Sequence, residues 1–484
     1  MIFMSVTSRV VKNSSLLIMA SIINNVMTFI LTLFTARYLG TYNFGLISSA
    51  TSFVGVFGIF CDLGLATYAI REVSRDKSAT SVYFGTTFAF RVLFTLVTFI
   101  VYCVFVTQSN FTEDGFVVMI LFGFYMVFNS IVFFFYSLFQ SNEKMKYQTI
   151  GNVIYSSSVL LIILLIIFNG SDVKVVAAGY PLAMLLSLIY TSYIAIKHYP
   201  RFTFCFRKDF IKKILYKGIP FGITSVFTSI YFWIALIILT YLSGSVAVGL
   251  FSASQKLLLV IAAIFTFFSN AIFPVMSELY TTDKQKLRGL YFKLLKFMLM
   301  LGLSVAVGTS LFSSEIINII YGSAYVEGSF ALSILIWAGV FMFLSNTSST
   351  LLGAINKQFT VTKIAALSAL LSVVINYVMI VKFSYYGASL CTVIIEFLVL
   401  TFMLVALSHT EFKLNVRSAI KPVVQVVLSN VILAGAIILF NQSLIVTIPV
   451  AVVVYVVALL VTGAISSEDR EIIYDLINSF RNRG

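Results

Sequence analysis

About fourteen stretches of roughly twenty apolar residues follow one another along the chain, parted by short polar connections. This repetition decides the solvent before anything else. A helix rising about 1.5 Å per residue needs about twenty residues to cross a hydrocarbon core about 30 Å thick. The stretches run approximately over 14–36, 44–66, 82–106, 116–138, 149–169, 175–196, 217–241, 247–275, 293–313, 328–354, 360–381, 385–408, 419–440 and 444–465. Of the 484 residues, 60% are hydrophobic and 10% charged, whereas a soluble chain carries about a quarter charged residues. A water-soluble fold of this length has no interior for so much apolar side chain. The expectation is an all-α polytopic membrane protein of about fourteen spans, with every backbone polar group satisfied inside its own helix. The first stretch follows Arg9 and Lys12. It exceeds the h-region of a signal peptide and no A-x-A site follows it, so it reads as a retained span.

The net charge is +14, which in a soluble protein would point to nucleic acid. Here the basic residues sit in the connections, so membrane orientation accounts for them and nucleic acid is excluded as a partner. With the N-terminus inside, 27 of the 32 Lys and Arg residues fall in the inner connections and the two ends of the chain. The outer connections hold Arg37, Lys174 and Lys382, and Arg91 and Lys256 lie within spans. One miscounted span would invert every later connection, so this separation supports the count, a cell-membrane location and cytoplasmic termini together. The longest polar connection, KHYPRFTFCFRKDFIKK, is an inner one. The tail SSEDREIIYDLINSFRNRG is amphipathic and reads as lying on the surface.

The stretch YLGTYNFGLISSA, Tyr38 to Ala50, returns as YLSGSVAVGLFSAS, Tyr241 to Ser254. Both read Tyr-Leu, a small or polar turn, Gly-Leu and then serines. The copies join span 1 to 2 and span 7 to 8. An even offset of six spans makes them run the same way, which predicts two parallel six-helix lobes. The boundaries follow: a first lobe over 1–197, a cytoplasmic linker over 198–216, a second lobe over 217–410, and helices 13 and 14 with the tail over 411–484. Gly40, Gly45, Gly244 and Gly249 suit a tight turn and close helix approach. Such symmetry suits alternating access about a central cavity, which turns the reading toward a transporter.

Polar residues inside the spans mark where a cavity would lie. Span 1 carries Ser21, Asn24, Asn25, Thr28, Thr32 and Thr35 on one face. Span 2 offers Ser48, Ser52, Gly55 and Asp62; span 8 offers Ser252, Gln255 and Lys256. The same residue types also serve helix–helix hydrogen bonding. Four ionisable residues lie within spans: Asp62, Arg91, Lys256 and Glu396. Arg91 and Lys256 sit about 13 Å from a helix end, too deep to reach water without strain. Residues there face a cavity or pair with one another. A cationic cavity suits an anionic phosphate or diphosphate, while pairing with Asp62 would make Arg91 a structural clamp. The substrate-facing candidates are Lys256, Arg91, Arg37, Asn24, Asn25, Thr28 and Gln255. Glu396 and Asp62 are candidates for ion coupling, Glu396 by exchanging a proton or binding sodium, while the place of Asp62 near a span end also suits a helix-end contact. The four cysteines Cys61, Cys103, Cys205 and Cys391 form no C-x-x-C, and His198 and His409 have no partner near in sequence. No nucleotide loop, metal motif or nucleophile elbow is present, so no cofactor, no metal and no enzymatic chemistry are expected.

The segments ARYLGTYNFGLISSA and DLGLATYAIREVSRD resemble the opening of polysaccharide-biosynthesis flippases, the lipid-linked oligosaccharide translocases of O-antigen and capsule type. The similarity runs on through QSNEKMKYQTI, GIPFGITSVFTSIYFW, VGLFSASQKLL, NAIFPVMSELY, EIINIIYGSAYVEGSFALSIL, LLGAINKQ and INYVMIVKFSYYGASL, in order along nearly the whole chain. That family stands with the multidrug-and-toxin-extrusion exporters and the lipid II flippase. The resemblance implies two six-helix lobes around a cavity and translocation of a polyprenyl-phosphate-linked glycan. It implies that Lys256 faces the diphosphate. Relatives carry an acidic residue in span 7 where this chain has Trp233, Ile234 and Ala235, so a sodium site on that acid is not expected. Asn376 keeps a familiar polar position and Glu396 can stand in, with H+ or Na+ as the coupling ion and polysaccharide polymerase or assembly proteins as partners. The rival readings are a small-molecule exporter on the same fold and a membrane glycan polymerase or ligase. The short outer connections count against the latter.

Overall fold

The computed structural model describes residues 2–199, 202–205, 207–414, 416–440 and 444–465, with the side chains of 2–22, 264–267, 270–271, 416–418 and 445 outside that description. The expected surface tail over 466–484 lies outside the described residues. Among them every regular element is a helix: α1 (Ile2–Phe60), α2 (Leu65–Arg75), α3 (Thr80–Gln108), α4 (Glu113–Ser141), α5 (Met145–Phe168), α6 (Val173–His198), α7 (Lys208–Thr282), α8 (Lys284–Leu311), α9 (Ser313–Tyr321), α10 (Ser329–Ala354), α11 (Gln358–Ser408), α12 (Val416–Phe440) and α13 (Leu444–Val461). Ten of the helical segments are long and apolar enough to cross a membrane, and Val446–Val461 is a shorter apolar helix.

Helix α3 shows why lipid is the solvent. Arg91, Thr95, Thr98 and Tyr102 point inward and are buried. Val92, Leu93, Leu96, Val97, Ile100, Val101 and Val104 face outward and are exposed. The polar stripe packs and the aliphatic one is bare, the reverse of a soluble amphipathic helix.

Three helices are continuous in hydrogen bonding but kinked. Helix α1 kinks at Gly40 (φ 68, ψ 179) and α7 at Gly244 (φ 78, ψ 178). Those two glycines belong to the repeated corner, and they adopt one and the same conformation. It is a region of backbone space open essentially to glycine alone. The third kink, in α11 at Ser384 (φ 51, ψ −132), is made without glycine.

By packing, the chain divides into one unit of Met1–Lys256 with Ala365–Ala388 and another of Leu257–Ile364 with Ser389–Gly484. In the first, α4 and α6, α5 and α6, and α1 and α5 are the main helix pairs; in the second, α8 packs on α10 and α12. The basic connection after span 2 is itself helical. Helix α2 buries Leu65, Tyr68, Ala69 and Val73 and turns Arg71 and Arg75 outward.

Ion pairs tie connections of like parity. Lys174 bridges Asp114 at 2.7 Å and Glu113 at 3.5 Å. Lys77 meets Glu143 at 2.8 Å, and in the second unit Lys284 meets Glu411 at 2.7 Å.

The repeated corners meet inside the first unit. A Cβ added to Gly45 would lie 1.8 Å from the Ser245 carbonyl oxygen, and one added to Gly249 would lie 2.0 Å from that of Thr41. The contact is reciprocal, each corner offering a glycine to the other's backbone. Nearby, the Ser49 and Thr240 hydroxyls share a hydrogen bond of 2.8 Å. Tyr241 reaches Ser109 Oγ at 3.0 Å amid the rings of Phe53, Phe105 and Phe111.

Candidate functional site

Helix α1 stops at Phe60, and the chain turns through Leu63 (φ 49) and Gly64 (φ 81) into α2. That turn is wedged against the start of α7. A Cβ on Gly64 would lie 2.5 Å from the Gly218 carbonyl oxygen, and one on Gly222 would lie 2.5 Å from that of Leu63. Asp62 sits in the turn. Its Oδ1 accepts the Ala66 amide at 3.1 Å, which caps α2, and pairs with Arg91 Nη1 from α3.

Arg91 is 6% exposed. Its Nε donates to the Ser130 carbonyl at 3.0 Å and to the Ser130 hydroxyl at 2.9 Å, and its Nη2 donates to the same carbonyl at 2.8 Å. Thr95 shares a 2.8 Å hydrogen bond with the Ser130 hydroxyl. The guanidinium is thus held by one acid and one helix backbone, as a charge at this depth requires.

Beside the pair lies a cavity of about 610 Å³. Its walls are helix faces with regular spacing. Helix α1 supplies Thr51, Gly55 and Gly58 and the turn after it Asp62; α4 supplies Asn129, Phe133, Ser137 and Gln140; α7 supplies Ser225, Ser229 and Trp233. Steps of three and four residues keep each set on one face. Gly55 makes room for the indole: a Cβ there would stand 2.3 Å from Trp233 Nε1. Arg91 and Asp62 are the charged residues among the described lining.

Of the residues singled out in the sequence, the structure brings Asp62 and Arg91 together. The stripe on span 1 divides. Asn24 is half-buried and accepts from the Ser156 hydroxyl, whereas Asn25 and Thr28 are exposed. Thr32 donates to the Thr28 carbonyl at 2.8 Å, and Thr35 is buried. Arg37 is exposed beside the kink. Gln255 and Lys256 are half-buried at the end of the first unit, and no hydrogen bond or ion pair holds either side chain among the described residues. Asn376 is buried, with Nδ2 donating to the Ser372 carbonyl at 2.8 Å and Oδ1 without a partner among the described residues. Glu396 is buried in the second unit, on α11 beyond its kink.

Sequence reasoning met Trp233 only as a residue standing where relatives carry an acid, and passed over Asn129, Gln140, Ser225 and Ser229. The signal was present, since Ser225, Ser229 and Trp233 stand four apart in a span and share a face with no other reason to be polar.

The family profile described as polysaccharide biosynthesis protein matches residues 10–280, and one described as MatE matches residues 220–378. The chain is 24% identical over 406 residues to the capsular polysaccharide biosynthesis protein CapF of Staphylococcus aureus, covering 81% of this chain and 97% of that one. It is 20% identical over 398 residues to a putative O-antigen transporter of Shigella dysenteriae, covering 82% and 99%. In three dimensions it is similar to the lipid II flippase MurJ in an inward closed conformation, with a TM-score of 0.76 at 15% identity over 94% of this chain and 99% of that one. It is also similar to an inward-facing MATE multidrug resistance transporter, with a TM-score of 0.65 at 13% identity over 80% and 94%. These likenesses give the fold.

Proposed function

Because the chain belongs to the polysaccharide biosynthesis protein family, whose profile covers more than half of it, we propose that it is a flippase. It moves a polyprenyl-phosphate-linked oligosaccharide across the cytoplasmic membrane for cell-surface polysaccharide synthesis. The observation that carries this reading is a cavity between apolar membrane helices into which polar side chains are set. A sugar head needs such a path because its hydroxyls cannot cross hydrocarbon unpaired.

The proposed topology has fourteen spans and cytoplasmic termini. The kinked α1, α7 and α11 each count as two crossings, since α1 alone would otherwise run about 88 Å at about 1.5 Å per residue, and Val446–Val461 completes the set. Two six-helix lobes, 1–197 and 217–410, expose the cavity to each side of the membrane in turn, with 198–216 as linker and 411–484 outside the repeat. Lys256 is the principal contact for the diphosphate. Gln255, Arg37 and the Asn24, Asn25 and Thr28 face are its auxiliaries. Glu396 and Asn376 are assigned to coupling with H+ or Na+. Arg91 and Asp62, expected as anion and ion ligands, are assigned instead to holding the cavity wall, because they hold each other. No covalent step is part of this function.

The MatE profile match supports a second reading, an exporter of small molecules on the same fold. Deleting the chain from its host discriminates the two. The flippase reading predicts that lipid-linked glycan accumulates on the cytoplasmic leaflet. Normal glycan export together with sensitivity to small toxic compounds would favour the exporter.

A further inference from the structure

The charge in the cavity wall cancels. Arg91 and Asp62 are its charged members among the described residues, and they are spent on each other. A phosphate entering here would have to displace the carboxylate from the guanidinium or lie against it. Either costs free energy where water is scarce. The remaining polar lining is neutral and includes the amides of Asn129 and Gln140, the latter donating to Gln148 Oε1 at 3.0 Å, and the hydroxyls of Ser225 and Ser229. Asn129 is half-buried and has no hydrogen-bond partner among the described residues. Both hydrogen bonds of Asp62 use Oδ1, which leaves Oδ2 as an acceptor. Trp233 adds an aromatic surface, seated by Gly55.

Neutral donors and acceptors around one indole suit a sugar ring. Its hydroxyls bond outward to amides and a carboxylate oxygen, and its C–H face lies on the electron-rich face of the indole. The cavity volume of about 610 Å³ lies within the range of about 300–1,000 Å³ typical of small-molecule sites. We infer that this cavity is a saccharide subsite, built to bind the glycan itself, and that the diphosphate of the same substrate is held elsewhere. The inference deepens the flippase reading and rests on it for which glycan is carried.

The chain has two tryptophans, so Trp337→Phe leaves Trp233 as the single reporter. Trp337 is exposed, and this exchange leaves the cavity untouched. Three probes come from membranes of a host strain lacking the protein: the intact lipid-linked glycan, the water-soluble glycan released from it by mild acid, and the polyprenyl phosphates left behind. Intact and released glycan should each shift Trp233 emission saturably, and polyprenyl phosphate should not. Asn129→Ala should weaken the response to released glycan about tenfold, the loss of one or two hydrogen bonds. Asp62→Asn, which keeps an acceptor oxygen, should weaken it less. A response to polyprenyl phosphate alone overturns the subsite. So does the lack of any response to either glycan, whether or not the same vesicles transport labelled lipid-linked glycan. If released glycan shifts Trp233 while transport is absent, the subsite stands and the flippase reading falls.

Discussion

Arg91 is a cation at membrane depth whose partners are all of the protein's own making. Removing it by Arg91→Ala strands the Asp62 carboxylate and should destabilise the protein by about 3 kcal/mol, the scale of breaking a buried pair from one side. The double variant Asp62→Ala with Arg91→Ala should cost clearly less than the two single changes together. Thermal unfolding of the four proteins in detergent measures that coupling, and additive losses would show that the pair is not a unit. The pairing was legible as one of two options, because opposite charges in apolar spans must find a cavity or each other. Trp233 and Asn129 were not legible in the same way. A neutral polar residue or an aromatic in a span looks alike whether it packs against a neighbour or lines a hollow, and the difference lies in which helix comes alongside.

Among the elements, the twice-written corner is the one the letters describe best. Gly40 and Gly244 stand at positive φ with nearly equal ψ, which accounts for glycine at both turns. Gly45 and Gly249 have another reason: each lies against the backbone of the other corner. Gly45→Val or Gly249→Val should cost about 1–3 kcal/mol through overpacking against a backbone that cannot move aside. Gly58→Ala is the control. A Cβ there meets nothing within 4 Å, and its helix should be as stable or more so by up to about 1 kcal/mol. Equal melting temperatures for Gly45→Val and Gly58→Ala would dismiss the interlock. The kink at Ser384 had no such signature, since a serine at positive φ is imposed by its surroundings and leaves no mark in the sequence. The helical nature of α2 was hidden for a related reason. Its buried face is only Leu65, Tyr68, Ala69 and Val73, too short a pattern to stand out beside spans of twenty apolar residues.

At the scale of the whole chain, length, charge and hydropathy spoke most clearly. The helical class and the membrane environment follow from the run of apolar stretches, and ten long apolar helices are present among the described residues. Sidedness is a finer proposal with its own test. Single cysteines introduced at Ser171 and Asn110 should react with a membrane-impermeant thiol reagent from outside intact cells, in a background with Cys61, Cys103, Cys205 and Cys391 replaced. Cysteines at Glu143 and Asp283 should react only after the membrane is opened. Labelling of Glu143 from outside would invert the orientation. The grouping of residues 365–388 with the first unit could not be read from the sequence, because periodicity tells which face of a helix is buried and not against which distant helix.

The most direct test of the account is transport itself. Purified protein in vesicles should carry a fluorescent polyprenyl-diphosphate-linked glycan from one leaflet to the other, as read by loss of protection from an impermeant quencher. Lys256→Ala should slow that transfer at least tenfold without lowering the melting temperature. Protein-free and protein-containing vesicles with equal transfer rates would contradict the account.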